Sequence, residues 1–227
     1  MTATATKADL LPTLLRRVTG DEKHAPSAHS PLDVLWVLYD RILRITPDTV
    51  DDPGRDRFLL SKGHGPAAYY AVLAAKGFFP QAWLDDMGTW DSPLGYHPDR
   101  VRIPGVEVGT GSLGHGLGLA VGTALGLRAQ GLDARTFVLL GDAELDEGSN
   151  HEAIAYAAAI RLPLTAIVID NQSATHGWPG GIAARFVGWD ISTVDGRDRA
   201  ALEIALSRRD RGRPYLVVAT VSGKGSR

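Results

Sequence analysis

Two patterns of apolar residues divide the chain. In LDVLWVLYDRIL (32–43), Leu32, Leu35, Trp36, Tyr39, Ile42 and Leu43 recur at helical spacing. In the C-terminal half, TFVLLGD (136–142), LTAIVIDN (164–171) and PYLVVATVS (214–222) are short runs, apolar almost throughout, as expected of buried strands. Between them lie NHEAIAYAAAI (150–160) and RAALEIALSRR (199–209), which read as helices. Strands without polar alternation, interleaved with helices, predict an α/β fold: a mostly parallel sheet with helices on both faces. Phe58 to Leu60 adds a short extended piece. Pro66 is placed to open a helix over AAYYAVLAAKG, because proline suits the first helical position.

The remainder is less regular. Residues 1–8 are expected to fray, Leu10 to Val18 to begin a helix, and 46–57, 80–112 and the segment between Asn171 and Arg199 to be irregular. No repeat or low-complexity tract divides the chain, so 1–227 reads as a single domain. The predicted helix LGHGLGLAVGTALGLRAQG (113–131) carries glycines at 114, 118, 122 and 126, near one face. Each weakens the helix by up to about 1 kcal/mol relative to alanine. Such a face implies a closely approaching backbone, from ordinary helix packing or from a cofactor side.

Composition narrows the function classes. The 227 residues are 44% hydrophobic and 22% charged, ordinary for a globular protein. A net charge of −2 gives no electrostatic case for nucleic acid or an anionic membrane. The absence of cysteine excludes disulfides, thiolate metal sites and cysteine nucleophiles. No signal-peptide pattern opens the sequence and no run of about 18 apolar residues occurs, so a cytoplasmic protein is expected.

Candidate chemistry lies at the strand ends. In open α/β sheets ligands bind outside the carboxyl ends of strands. Gly141-Asp142 ends one strand and Asp170-Asn171 ends the next, separated by one loop and one helix. A right-handed crossover brings both ends to the same edge. The Asp142 carboxylate and Asn171 amide oxygen then suit Mg²⁺, a hard cation completed by phosphate and water. Backbone N–H groups of Gly141 to Ala143 can bind phosphate as well. The bland alternative is that Asp142 caps a helix or turn.

GDAELDEGSNHEAIAYAAAIRLPLTAIVIDN (141–171) resembles the thiamine-diphosphate signature of Gly-Asp-Gly, about thirty residues, then Asn. Three more segments resemble the transketolase family in its order: DRFLLSKGHGPAAYYAVLAAKGFFP (56–80), YHPDRVRIPGVEVGTGSLGHGLGLAVG (96–122) and WDISTVDGRDRAALEIALSRRDRGRPYLVVATVSGKG (189–225). The resemblance spans almost all of residues 20–225. It covers only the diphosphate-binding domain, not the pyrimidine-binding one. It therefore implies the N-terminal subunit of a two-component thiamine-diphosphate-dependent enzyme, with Mg²⁺, that transfers a two-carbon ketol or related acyl-anion unit to an aldehyde or ketone. A second subunit carrying the pyrimidine-binding domain, in an α2β2 heterotetramer, is implied by analogy.

Residue by residue, the resemblance implies that Asp142, Asn171 and the Ser173 carbonyl bind Mg²⁺. It places Gly111, Ser112, Leu113, Gly141 and Ala143 on the cofactor, and His64 near the diphosphate and the reacting carbon. His24 and His97 would contact substrate and move protons, and histidine titrates in the useful range. Glu147 and Glu152 would belong to an acidic network between paired active sites; acids at a helix start are also favoured without function.

The chain departs from the family pattern at several points. Ala143 replaces the second glycine, which would be strained if φ there were positive. His115 replaces glutamine, Tyr96 and Ala25-Pro26 stand where glycine is usual, and the family's later active-site histidine has no counterpart before Arg227. These departures point to a specialised substrate. A first subunit of a 2-oxo acid decarboxylating enzyme is the alternative within the cofactor class, although SKGH and GSLGHG speak for transketolase. A non-catalytic scaffold for a partner is the alternative outside it.

Overall fold

The computed structural model describes residues 7–18, 28–64, 66–174, 177–208 and 212–221. Five strands, β1 (Arg57–Leu60), β2 (Thr136–Gly141), β3 (Thr165–Asp170), β4 (Asp190–Asp195) and β5 (Tyr215–Thr220), form one parallel sheet in the order β1-β2-β3-β5-β4. The helices are α1 (Leu11–Arg17), α2 (Leu32–Val37), α3 (Pro66–Lys76), α4 (Gly116–Ala129), α5 (Gly148–Ala159), α6 (Gly181–Arg185) and α7 (Arg199–Leu206).

Successive side chains of a strand point to opposite faces, so each central strand feeds two cores. Phe137, Leu139, Ile167, Ile169 and Val217 pack with Tyr39, Tyr69, Tyr70 and Leu202 on one face. Val138, Leu140, Val168, Leu216 and Val218 pack with Leu117, Ala120, Ile154 and Ala157 on the other. This double burial explains why the strand runs lack polar alternation. The predicted parallel α/β architecture is present.

Local differences have physical causes. The helix predicted from Leu32 is α-helical only to Val37 and continues as a π-helical turn, Leu38–Ile42, where Tyr39 OH meets Tyr69 OH at 2.9 Å inside the core. Lys7 and Ala8, the end of the stretch expected to fray, belong to a 3-10 turn, Lys7–Leu10, and residues 1–6 of that stretch lie outside the described residues. Strand β4 corrects the irregular reading of the segment after Asn171. DISTVD is an edge strand, half exposed along its length, so nothing requires it to be apolar.

The amino ends of β1 and β2 are clamped by Asp56, which is fully buried. It accepts hydrogen bonds from the backbone and guanidinium groups of both Arg44 and Arg135. Burial alone would raise the pKa of this carboxylate. The hydrogen bonds from Arg135 and Arg44 outweigh it and hold the pKa below the usual range.

Of the four glycines expected on one face, 114, 118, 122 and 126, only Gly114 is closely approached; Gly116, off that face, is approached as well. A methyl group on Gly114 would lie 2.5 Å from Glu147 Cβ, and one on Gly116 would lie 2.3 Å from Ser61. Gly118 and Gly122 meet nothing within 4 Å in this chain, and Leu113 and Leu119 are exposed beside them. No helix among the described residues is long and apolar enough to cross a membrane.

Candidate active site

The carboxyl ends of β1, β2 and β3 lead into three turns that meet. After β1 comes Ser61-Lys62-Gly63-His64. Lys62 is buried, and its Nζ donates to the His64 carbonyl at 2.7 Å, which shapes the turn. Gly63 lets the ring of His97 approach, since a Cβ there would sit 3.2 Å from it. The rings of His64 and His97 lie 6.5 Å apart, both exposed, and His97 Nδ1 meets Thr110 Oγ1 at 3.2 Å. Gly111 follows with φ +133, a backbone conformation that favours glycine, beside the His97 ring. Gly111, Ser112 and Leu113 are exposed. Two histidines and a glycine turn, distant in sequence, therefore share one rim.

Asp142 follows β2 and is buried. Its N–H donates to the Ile169 carbonyl at 3.1 Å, continuing the pairing of β2 with β3 past the strand end. Its carboxylate accepts from Ala143 N at 2.9 Å and so caps the 3-10 turn Ala143–Asp146. It also accepts from Ser173 N at 2.7 Å, Ser173 Oγ at 2.5 Å and Ala174 N at 3.2 Å. The capping alternative is thus realised. Ser173 faces Asp142 through its N–H and hydroxyl, and its carbonyl has no such contact among the described residues. Ala143 has no positive φ, so alanine is accommodated there without strain. Gln172 has φ +56 instead, a strained conformation for a non-glycine residue, and it turns the chain back toward Asp142.

Asn171 is buried, and its amide oxygen has no hydrogen-bond partner. A buried unpaired carbonyl oxygen is costly unless something else satisfies it. Among the described residues no three acidic or histidine side chains gather as a metal cage. One carboxylate and one orphaned amide oxygen fit Mg²⁺, which takes few protein ligands and completes its shell with phosphate and water.

A residue that sequence reasoning passed over ties the turns after β1 and β2 to the turn at Gly114. Glu144 is buried and accepts from Gly141 N at 2.9 Å, Ser61 Oγ at 3.0 Å and Gly114 N at 3.4 Å. Burial raises its pKa to about 7 despite these donors and the charge of Lys62. Its only signal in the sequence is an acid inside a turn that follows a buried strand.

The other candidates are placed as follows. Glu147 and Glu152 are exposed at the start of α5; Glu147 packs on Gly114, and neither forms an ion pair among the described residues. His115 is exposed before α4 with Nδ1 3.1 Å from the Leu113 carbonyl. His151 packs on Trp178, which Arg185 covers from 4.8 Å, anchoring the loop after Asn171. His24 and His176 lie outside the described residues, as do Ala25 and Pro26.

Residues 19–227 match the family described as "Transketolase, thiamine diphosphate binding domain". The chain is 56% identical over 223 residues to "Ferredoxin fas2" of Rhodococcoides fascians, covering 96% of this chain and 73% of that protein. Iron–sulfur clusters are held by cysteine thiolates, and this chain has no cysteine, so that name has no counterpart in its residues. It is 36% identical over 213 residues to an apulose-4-phosphate transketolase subunit of Actinobacillus succinogenes, covering 89% of this chain and 77% of that one. Transketolase from Leishmania mexicana superimposes with a TM-score of 0.76 at 26% identity, covering 96% of this chain. The chain spans only 37% of that enzyme's length.

Proposed function

Since the chain belongs to the transketolase family, as its thiamine-diphosphate-binding domain, we propose that it is the N-terminal subunit of a two-component transketolase-like transferase. It acts with thiamine diphosphate and Mg²⁺ and moves a two-carbon ketol or related unit to an aldehyde or ketone acceptor in specialised metabolism. The observation that carries this reading is the orphaned Asn171 oxygen beside capped Asp142, on the edge that also presents His64 and His97.

When bound, the cofactor supplies the nucleophilic carbon and the electron sink. The chain's own residues hold it and manage protons. Asp142, Asn171 and the Ser173 carbonyl would hold Mg²⁺ where the diphosphate binds. The N–H groups of Gly141 and Ala143 are engaged by Glu144 and Asp142, so phosphate contact requires these carboxylates to give way. Gly111, Ser112 and Leu113 line the cofactor without bulk. His64 and His97, with His24, exchange protons with substrate hydroxyls, and Glu147 and Glu152 link to a second active site.

The pyrimidine half of the pocket belongs to a partner subunit in an α2β2 assembly. The open face of α4 at Gly118 and Gly122, with exposed Leu113 and Leu119, supports that docking. The relative from Actinobacillus succinogenes, itself one subunit of a transketolase, supports it as well. A cytoplasmic setting is part of the same proposal.

The test is calorimetry of thiamine diphosphate with Mg²⁺ on the assembled two-subunit complex, followed by ketol transfer from ketose donors. Absence of cofactor binding by the complex would leave the scaffold reading. Carbon dioxide release from 2-oxo acids without ketol transfer would place the enzyme in the decarboxylating class.

A further inference from the structure

Between Met87 and Arg102 the chain forms a loop that is pinned from inside. Met87, Ser92 and Leu94 are buried. Gly88 N donates to the Leu94 carbonyl at 2.8 Å, Leu94 N donates to Ser92 Oγ at 3.1 Å, and Tyr70 OH donates to the Gly95 carbonyl at 2.9 Å. Two large aromatic side chains on this loop nevertheless stay exposed, Trp90 at 95% and Tyr96 at 52%.

Gly88 seats Tyr96. A Cβ on Gly88, whose φ is +79, would lie 3.0 Å from Tyr96 Cζ, so the missing side chain makes room for the ring. Tyr96 is also a position at which the chain departs from the family pattern.

Trp90, Pro93, Tyr96 and His97 line one open groove of about 410 Å³, within the roughly 300–1,000 Å³ of small-molecule sites. His97 links it to the candidate active site, because its ring lies 6.5 Å from that of His64. The groove therefore joins a candidate proton carrier to an aromatic wall. The charged residues of its lining, Asp99 and Arg102, are opposite in sign and 4.0 Å apart, so they offset each other rather than select a phosphate. Trp and Tyr rings recognise other flat rings by stacking or edge contact.

We infer that this groove is the acceptor subsite of the proposed transferase, and that its preferred acceptor is an uncharged aromatic aldehyde whose ring lies against Trp90 and Tyr96 with its carbonyl turned to His97. Trp90 and Tyr96 are then specificity-determining residues. The subsite presupposes the transferase reading. In the transfer, the bond between C2 and C3 of a ketose donor breaks, and the C3 hydroxyl loses its proton as that part leaves as an aldehyde. The electron pair of the broken bond stays with the two-carbon unit and forms the new bond to the acceptor's carbonyl carbon. The acceptor's oxygen takes the proton, by way of His97, and no oxidant or reductant is consumed.

The test uses the assembled two-subunit complex with thiamine diphosphate, Mg²⁺ and a ketose donor, and compares benzaldehyde with glyceraldehyde as acceptors. The kcat/KM for benzaldehyde should be higher by about tenfold. Trp90→Ala combined with Tyr96→Gly should lower the benzaldehyde-to-glyceraldehyde ratio of kcat/KM by about tenfold, through KM rather than kcat. Trp90→Ala alone removes an exposed side chain, should keep the wild-type Tm, and should lower the ratio by about threefold. Binding is read separately, without cofactor, from the fluorine NMR signal of Trp90 in a complex built with this chain labelled by 5-fluorotryptophan; the signal is identified by its loss in Trp90→Phe. Benzyl alcohol should move it to saturation, and glycerol should not. Glyceraldehyde used as well as benzaldehyde, or wild-type selectivity in the variants, would overturn the subsite and leave the proposed function standing. Transfer to neither acceptor would overturn both. A Trp90 signal that moves when the partner subunit is added and then ignores benzyl alcohol would make the surface a subunit contact, and would overturn the subsite too.

Discussion

The carboxylate of Glu144 accepts the hydroxyl of Ser61 at 3.0 Å, joining positions 83 residues apart. The same carboxylate takes the N–H groups of Gly141 and Gly114, so one buried acid joins the turn after β1, the end of β2 and the start of the α4 approach. Its pKa is raised to about 7 from an ordinary value of 4.5, chiefly by burial. Between these two values the folded protein holds a proton that the unfolded chain releases, so stability falls as pH rises through that window and levels off above it. Thermal unfolding from pH 4.5 to pH 8 should show that slope in wild type and lose it in Glu144→Gln. Equal slopes would mean that another group titrates.

The orphaned oxygen of Asn171 predicts a separation of stability from binding. Asn171→Leu should leave the Tm of the free chain unchanged or slightly raised, because it removes an unsatisfied buried group. It should nevertheless abolish Mg²⁺-dependent binding of thiamine diphosphate by the complex. Asp142→Ala should abolish binding too, and cost about 1–3 kcal/mol by stranding the N–H groups of Ser173 and Ala174. Calorimetry and denaturant unfolding of both variants check this; retained cofactor affinity in Asp142→Ala would refute the metal assignment.

Gly116 is required by close approach. A Cβ there would lie 2.3 Å from Ser61, so Gly116→Ala must push α4 away from the turn after β1. Overpacking of this kind costs about 1–3 kcal/mol. Gly122→Ala, which meets nothing, should be neutral or stabilising in the isolated chain. Urea midpoints of the two variants should therefore move apart, and a shared midpoint would show that the contact yields freely.

Asp56 anchors the sheet edge opposite the candidate active site. Its pKa is depressed in the folded state, so its stabilisation is present above the ordinary carboxylate pKa and is lost as pH falls through the folded value. Asp56→Ala should cost about 3 kcal/mol at neutral pH by leaving Arg44 and Arg135 without their shared carboxylate. The difference from wild type should shrink at strongly acid pH, as read from denaturant midpoints.

Leu119 reports on the partner. It is 48% exposed beside the bare backbone of Gly118 and Gly122. Leu119→Arg should leave the Tm of the isolated chain unchanged and weaken assembly with the pyrimidine-type subunit by about tenfold or more, as expected when a charge enters an apolar contact. Analytical ultracentrifugation of the mixed subunits measures it. Undiminished assembly would move the interface elsewhere.

The sequence by itself determined the central strands and marked the polar residues at their ends. The runs at 136–142, 164–171 and 214–222 are apolar because helices cover both faces of the sheet, a burial state that is written into composition. Asp142 and Asn171 were visible because polar residues ending such runs stand out. Tertiary structure alone decided what is set by neighbours distant in the chain. Strand β4 is legible only through its pairing with β5, since an edge strand need not be apolar. Ala143 is unstrained because the Asp142 cap places it in a 3-10 turn, and the strain falls on Gln172 instead. Glu144 and Asn171 owe their chemistry to burial, which depends on what folds over them: a carboxylate acquires a raised pKa and an amide oxygen an unmet hydrogen bond only when water is excluded.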